Sequence, residues 1–486
     1  GIDNNSTGNF VRGNYIGTDD SGTAAIANAS NGVLLWNDSD GNTVGGSNPG
    51  EGNIISGNIG HGVAIANNID NSVIEGNFIG TDITGTAAVP NRTDGVNIAN
   101  NCNTNTIGGS AAGADNLISG NNRSGVRING STGNILQGNL VGTDVTGTVL
   151  LSNLANGVYL ENNSNNTTIG GAVLGAGNVI SENAAFGIRI DDCSGCVIQG
   201  NLVGTDATGS AALPNTFSGV SIVNGSTNNT IGGTALGSLN VISGNGGNGV
   251  TIDASPGNFI QGNLIGTDLN GTAALPNTDG ILIQGAGAGG NIVGGNTAAH
   301  MNLISGNGDD GIDLESPAGN TIQGNYIGTD INGTAAIANG EFGVEVDSSD
   351  NNLIGGNGAG EGNLISGNGD DGVFIEGTST GNQVFGNLLG TDLNGTGSVP
   401  NVFDGLEING CSGNTIGGAT AGHRNIISGN GDDGIEFDAA ATGNDIYGNY
   451  IGTGINGAAI LTNGEDGIQV KPGCDNNDIG GSAAGQ

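Results

Sequence analysis

Apolar residues in this chain come in short alternating runs. The stretch from Gly249 reads GVTI, DASPG, NFIQG, NLIGT and DLNGTAALPNTD, and the stretch from Gly280 reads GILI, QGAGAG, GNIVGG, NTAAHM and NLISGNGDD. Each holds three segments of four or five residues in which Val, Ile and Leu alternate with polar neighbours. Gly, Asn, Asp and Ser bound them, as expected of strands separated by turns. No run carries the helical period. The phrase GNxxGT begins at Gly13, Gly76, Gly138, Gly200, Gly262, Gly324, Gly386 and Gly448, with a first gap of 63 and six further gaps of 62. Because Gly-Val/Ile-x-Ile occurs twice per unit, each 62 divides into two unlike coils of 31. Strands this short cannot bury themselves, but like residues recurring at every turn can stack into sheets around a shared interior. The pattern predicts an all-β solenoid, one domain over residues 1–486, with about 15 to 16 coils and a length on the order of 75 Å at ~4.8 Å per strand. Strands are expected from Gly249, Gly280, Gly311, Gly343 and Gly372, with Val250, Ile252, Ile260 and Ile265 inside.

Composition narrows the class. Gly fills 101 of 486 positions without a three-residue period, Pro only 8, and apolar residues 35%, which sets aside collagen and most disordered low-complexity chains. Seven basic against 45 acidic residues leave a net charge of −38, which repels nucleic acid and anionic membranes. No apolar stretch is long enough to cross a bilayer as a helix, and the first residues lack a signal-peptide pattern. Five cysteines (Cys102, Cys193, Cys196, Cys411, Cys474) do not make a disulfide framework. Cys193-Ser-Gly-Cys196 permits a short-loop disulfide, and the other three read as small turn-fillers. Asn at the ends of the second and third strands, including Asn201, Asn263, Asn325 and Asn387, is suited to amide ladders along the axis.

The GVxI…NxIxGNxI coil resembles the right-handed single-stranded parallel β-helix of the pectin-lyase-like superfamily, and GNxIGTDxxGTAAxPN resembles repeats of large bacterial secreted or surface proteins. The resemblance covers the whole chain. It implies the fold, an extracellular or cell-surface location, and activities that range from lyases, hydrolases and epimerases to tailspikes, adhesins and passive stalks. It also implies that a ligand would use the outer face of the first sheet. Polygalacturonase-like members of that superfamily carry Asn-Thr-Asp and Gly-x-Asp-Asp on neighbouring coils, as Asn277-Thr278-Asp279 and Gly308-Asp309-Asp310 do here. Their Gly-His-Gly occurs here as Gly60-His61-Gly62, seven coils away, and no Arg-x-Lys follows. The catalytic pattern is therefore broken, and Gly-Asp-Asp-Gly recurs at 369–372 and 431–434 as a repeat consensus.

Two acidic features carry candidate chemistry. The turn after the third strand repeats Thr-Asp-x-Asn/Thr-Gly, with Asp19, Asp82, Asp144, Asp206, Asp268, Asp330 and Asp392, and Gly454 replaces the acid in the last copy. A self-capped turn explains it, and Asp268, Asp330 and Asp392 also offer hard oxygen ligands for calcium. On the outer face of the first sheet, Asp313, Glu315, Glu345, Asp347, Glu376, Glu407, Glu436 and Asp438 form an acidic column from about residue 309. Asp309, Asp310, Glu341, Asp370, Asp371, Asp404, Asp432, Asp433, Glu465 and Asp466 precede the same strands. Neighbouring carboxylates at strand spacing repel by about 1 kcal/mol in water and several times more at lower dielectric. The face is a solvated acidic surface, a row of shared divalent cations with calcium first, or a catalytic carboxylate cluster.

The N-terminal half of that face is mixed. Arg127, Tyr159 and Arg189 are expected on alternate coils about 10 Å apart, where they could grip an acidic sugar. His300 and His423 fall in loops. The leading reading is an extracellular structural rod, stalk, adhesin or filament protein without catalysis, probed by chelation. The alternative is a polysaccharide-binding or polysaccharide-cleaving β-helix. Residue 1 aligns with Thr251, and Gln486 falls between a second and a third strand, with no capping segment at either end. The expected partners are therefore further repeats or other copies joined end to end.

Overall fold

The computed structural model describes residues 1–481, so the expectation placed on Gln486 lies outside the described residues. The chain divides into two compact units, Gly1–Gly247 and Asn248–Gln486. Both are built from the predicted right-handed parallel β-solenoid coil of about 31 residues with three strands per turn. In unit 1 the first sheet runs from Ile2–Asp3 to Val220–Val223, the second from Phe10–Val11 to Thr230–Gly232, and the third from Tyr15–Ile16 to Val241–Ile242. In unit 2 the corresponding sheets run from Val250–Asp253 to Ile468–Val470, from Phe259–Gln261 to Asp478–Ile479, and from Leu264–Ile265 to Tyr450–Ile451. Helix among the described residues is limited to the single 3₁₀ turns Ala298–His300 and Ala421–His423, which carry the two loop histidines.

Alternation places the core where it was expected. Val250 pairs in parallel with Ile281, Ile281 with Ile312, Ile312 with Val344 and Val344 with Val373, so one inward column recurs coil after coil. Val250, Ile252, Ile260 and Ile265 are fully buried. Each such side chain contributes about 1.5–3 kcal/mol relative to exposure, and the repeat multiplies that gain without requiring any long strand.

Asparagine fills all three corners of the coil, more than the sequence pattern suggests. In unit 2, Asn325 Nδ2 donates to Asn363 Oδ1 at 3.1 Å and Asn363 Nδ2 to Asn387 Oδ1 at 2.9 Å. A second ladder passes through Asn320, Asn352 and Asn382, and a third through Asn339, Asn368 and Asn401. Asn325 also donates to the carbonyls of Val293 and Gln323 and accepts from Asn302. Replacing it with Ala leaves several buried groups unpaired, so Asn325→Ala is expected to cost about 3 kcal/mol or more in a denaturant titration. An unchanged midpoint would show that the ladder is redundant.

The 62-residue period has a physical cause. Each long turn closes on itself, as in the antiparallel bridge Thr329↔Ala336, and then contacts the turn two coils away: Ile331 N–H donates to Gly271 O at 3.0 Å and Leu393 N–H to Gly333 O at 2.8 Å. Turns of the other coil type pack on their own kind. Gly360 has φ +81°, and a Cβ there would lie 2.7 Å from Asn296 O, so a side chain at this position would both strain the backbone and clash with the turn two coils away.

The cysteines depart from expectation at one place. Cys193 and Cys196 are free thiols rather than a short-loop disulfide. Each fills its own corner, Cys193 Sγ facing Asp191 O at 3.2 Å and Cys196 Sγ facing Ser164 O at 3.5 Å. Burial pushes their thiols up to about 12 and about 11. Cys102, Cys411 and Cys474 are likewise buried turn-fillers.

Candidate functional site

The acidic surface of unit 2 is built on five consecutive first-sheet strands, Ile312–Glu315, Val344–Asp347, Val373–Glu376, Leu406–Asn409 and Ile435–Asp438. Parallel register brings Asp313 beside Glu345, Glu315 beside Asp347, Asp347 beside Glu376 and Glu407 beside Glu436. The column is not continuous. Phe374 takes the place between Glu345 and Glu407 and stacks on Phe342, with ring centroids 4.5 Å apart and 13° between planes. This aromatic pair interrupts the column that holds Asp313, Glu345, Glu407 and Glu436, while Glu315, Asp347 and Glu376 run past it in the neighbouring column.

The acids that precede the strands divide into two kinds. Asp279, Asp310, Asp371, Asp404 and Asp433 are buried rather than solvent-facing. Each lends a carboxylate oxygen to the next coil: Phe342 N–H donates to Asp310 at 2.8 Å, Asp404 N–H to Asp371 and Asp433 N–H to Asp404 at 2.7 Å, and Asp466 N–H to Asp433 at 2.6 Å. Their outer neighbours Asp309, Glu341, Asp370, Asp432 and Glu465 remain half-buried or exposed. The bond from Asp310 N–H to Asp279 at 3.4 Å places the Asn-Thr-Asp and Gly-x-Asp-Asp segments in this same structural ladder.

Five triads offer one carboxylate oxygen each, all within 4.8 Å: Asp309–Asp310–Glu341, Asp310–Asp313–Glu345, Asp371–Asp404–Glu407, Glu407–Glu436–Asp438 and Asp432–Asp433–Glu465. The fourth already has a cation, since Lys471, the single lysine, pairs with Glu436 and lies 3.3 Å from Asp438. Asp310 is shared, so the other four triads amount to three sites that can be filled together. Asp313 Oδ1 and Asp433 Oδ2 are buried without a hydrogen-bond partner. Burial, then neighbouring carboxylates, pushes Asp313 up to about 8. Burial likewise raises Asp371 to about 8, Asp404 to about 7 and Asp279 to about 6, and it raises the tightly coupled Asp310 and Glu345 as well. Such a surface can hold protons or cations, and anionic oxygens at this spacing suit hard divalent ions.

The turn aspartates have no comparable arrangement. Thr272 N–H and Ala273 N–H donate to Asp268 Oδ1 at 2.8 and 3.0 Å, and Asn270 Nδ2 donates to Oδ2 at 3.0 Å. Asp330 and Asp392 are engaged the same way. Desolvation works upward on these carboxyls, but the turn hydrogen bonds outweigh it and hold them below their ordinary value.

In unit 1, Arg127, Tyr159 and Arg189 lie on consecutive strands as direct register partners, not on alternate coils. The two guanidinium carbons sit 6.0 and 5.8 Å from the Tyr159 ring centroid. Arg127 is paired with Glu161, and Arg189 lies 3.2 Å from Asp191, so both charges are already met. His300 and His423 bond Thr297 and Thr420 within their own turns.

No family model and no curated protein matches the chain. Among solved structures it is similar to the Dettilon tailspike protein gp208, with 16% identity over 82% of this chain and a TM-score of 0.42. It spans 62% of that tailspike's length. It is also similar to the periplasmic alginate epimerase AlgG, with 13% identity over 93% of this chain and 79% of that one and a TM-score of 0.36. A third is PfbA, a surface adhesin of Streptococcus pneumoniae, with 11% identity over 90% and 84% of the two chains and a TM-score of 0.28. Among the described residues no helix is long and apolar enough to cross a membrane.

Proposed function

We propose that unit 2 is a structural and adhesive element of an extracellular or cell-surface protein. In this reading it loads divalent cations, calcium first, on its acidic first-sheet face. The observation that carries the reading is the set of carboxylate triads between Asp309 and Glu465, whose ligand oxygens converge within 4.8 Å and among which, for the described residues, Lys471 alone supplies a fixed counter-charge. Cations bound there would relieve the repulsion between coils. Their open coordination positions, filled otherwise by water, would take oxygens of an anionic polysaccharide or surface.

Calorimetric titration of the chelated full chain with calcium tests this directly. About three sites per chain are expected, in line with the sharing of Asp310. Combining Asp310→Asn, Asp404→Asn and Asp433→Asn should remove them while keeping an acceptor for each ladder N–H. Absence of binding at millimolar calcium would overturn the reading. Retention of an acidic polysaccharide in calcium and its release by chelator would extend it to adhesion.

A further inference from the structure

Unit 1 departs from its own repeat at one corner. After the third strand, three of its coils carry Ser-Gly-Asn, with Gly57, Gly120 and Gly244 at φ of +77°, +75° and +74°. The coil between the last two carries Glu182 at the same position, at φ +61°, a conformation that strains a residue with a Cβ. The long turn before it has changed as well. Its equivalents read Ala24-Ala25, Ala87-Ala88 and Ala211-Ala212, whereas this one reads Val149-Leu150. A Cβ on Gly57 would lie 2.8 Å from the Ala25 Cβ, one on Gly120 2.9 Å from the Ala88 Cβ, and one on Gly244 2.7 Å from the Ala212 Cβ. The same relation sets Glu182 against Leu150, so the two departures meet.

Together they build an apolar patch with one carboxylate. Val149 is 55%, Leu150 61% and Leu154 61% exposed. Asn153 O accepts from Ala184 N–H at 3.0 Å, which brings Leu154 alongside the residues that follow Glu182. Glu182 N–H donates to Leu213 O at 3.2 Å, so its backbone is fixed to the next coil. Its side chain is half-buried, and among the described residues it makes no ion pair or hydrogen bond. Burial raises its carboxyl above the ordinary value, and no neighbouring charge acts on it. Apolar groups in water, a strained backbone and an uncompensated carboxylate all cost stability, yet Ala-Ala and Gly build the same corner without them in three other coils of this unit.

We propose that Val149, Leu150, Leu154 and Glu182 form a docking site for a peptide segment of a partner protein that presents an Arg or Lys beside an apolar side chain. The carboxylate lacks a counter-charge and selects a cation. The apolar groups around it select a cation carried next to an apolar side chain over a hydrated metal ion, and neutral or acidic glycans bring no cation at all. This site lies outside the acidic face of unit 2 and stands or falls separately from cation loading.

A displayed library of random peptides would be selected on the full chain at physiological salt in saturating calcium. Counter-selection would use the combined variant Val149→Ala, Leu150→Ala and Glu182→Gly, which restores the residues of the repeat. Peptides that bind the parent and not this variant should share an Arg or Lys next to Leu, Ile, Val or an aromatic residue. Made synthetically, they should bind Glu182→Gln about tenfold more weakly than the parent. Unspecific attraction to a chain of net charge −38 would not register the loss of one charge. The restored variant should also unfold at higher urea than the parent, because Gly accepts the positive φ without strain, which shows that lost binding is not lost folding. The proposal is overturned if no peptide discriminates the parent from the restored variant, if the selected peptides lack a basic residue, or if Glu182→Gln binds them as the parent does. Self-association that the restored variant loses in sedimentation would assign the patch to a second copy and overturn it as well.

Discussion

Chelation at pH 8 is expected to lower the melting temperature of the acidic unit by about 15–30 °C. A ligand that binds only the folded state at 100 times its Kd contributes about 2.7 kcal/mol per site, so three sites that fill together give about 8 kcal/mol. For a unit of this size about 2–4 °C accompanies each kcal/mol. The effect is large because removing calcium also unmasks repulsion among Asp310, Asp313, Glu345 and their neighbours, whose oxygens lie within 4.8 Å. Calorimetric scans with chelator, and again after calcium is restored, measure it. Superimposable scans would sink the structural role of the metal. Neutralising Asp310, Asp404 and Asp433 to Asn should raise the melting temperature of the chelated chain and abolish its response to calcium.

The second large effect is an inverted pH dependence in the chelated chain. Asp279, Asp404, Asp313 and Asp371 have folded values of about 6, 7, 8 and 8 against an ordinary 3.8, with burial the first cause in each. The folded state therefore binds more protons than the unfolded state between 3.8 and those values, and unfolding becomes easier as pH rises through that window. Their contribution is whole below about pH 4 and spent above about pH 8. One pH unit for one such group corresponds to about 1.4 kcal/mol. Between pH 5 and 8 the loss, halved for partial exposure, is on the order of 5 kcal/mol. Asp268, Asp330 and Asp392 act in the opposite sense and lose their contribution as pH falls below about 4, which places the optimum near pH 4–5. Urea midpoints at pH 5 and pH 8, with and without calcium, check both signs. A chelated chain that is more stable at pH 8 would refute the account.

The candidate site was only partly legible in the sequence. Position within the repeat located the outward acids Asp313, Glu345, Glu407 and Glu436 correctly, because a period of two fixes the face of each strand residue. It could not distinguish Asp371 from Asp370 or Asp433 from Asp432. These are consecutive residues in a turn, and only the backbone direction decides which points along the axis to the next N–H. The interruption at Phe374 was present in the sequence but gained meaning from its stack on Phe342.

The residues alone determined the coil: its length near 31, its three strands, the inward column through Val250 and Ile252, and the amide ladder through Asn325 and Asn387. These are local properties repeated, and a repeat makes each coil's neighbour a copy of itself, so local pattern implies packing. Only the tertiary structure decided which side chains meet between unlike coils. It showed free thiols at Cys193 and Cys196, Arg127 and Arg189 satisfied by Glu161 and Asp191, and acids divided into buried ladder and outer ligands. The reason is that such contacts depend on where each side chain exits a turn and on what the next coil offers at a few ångströms, and the repeat leaves that free to vary.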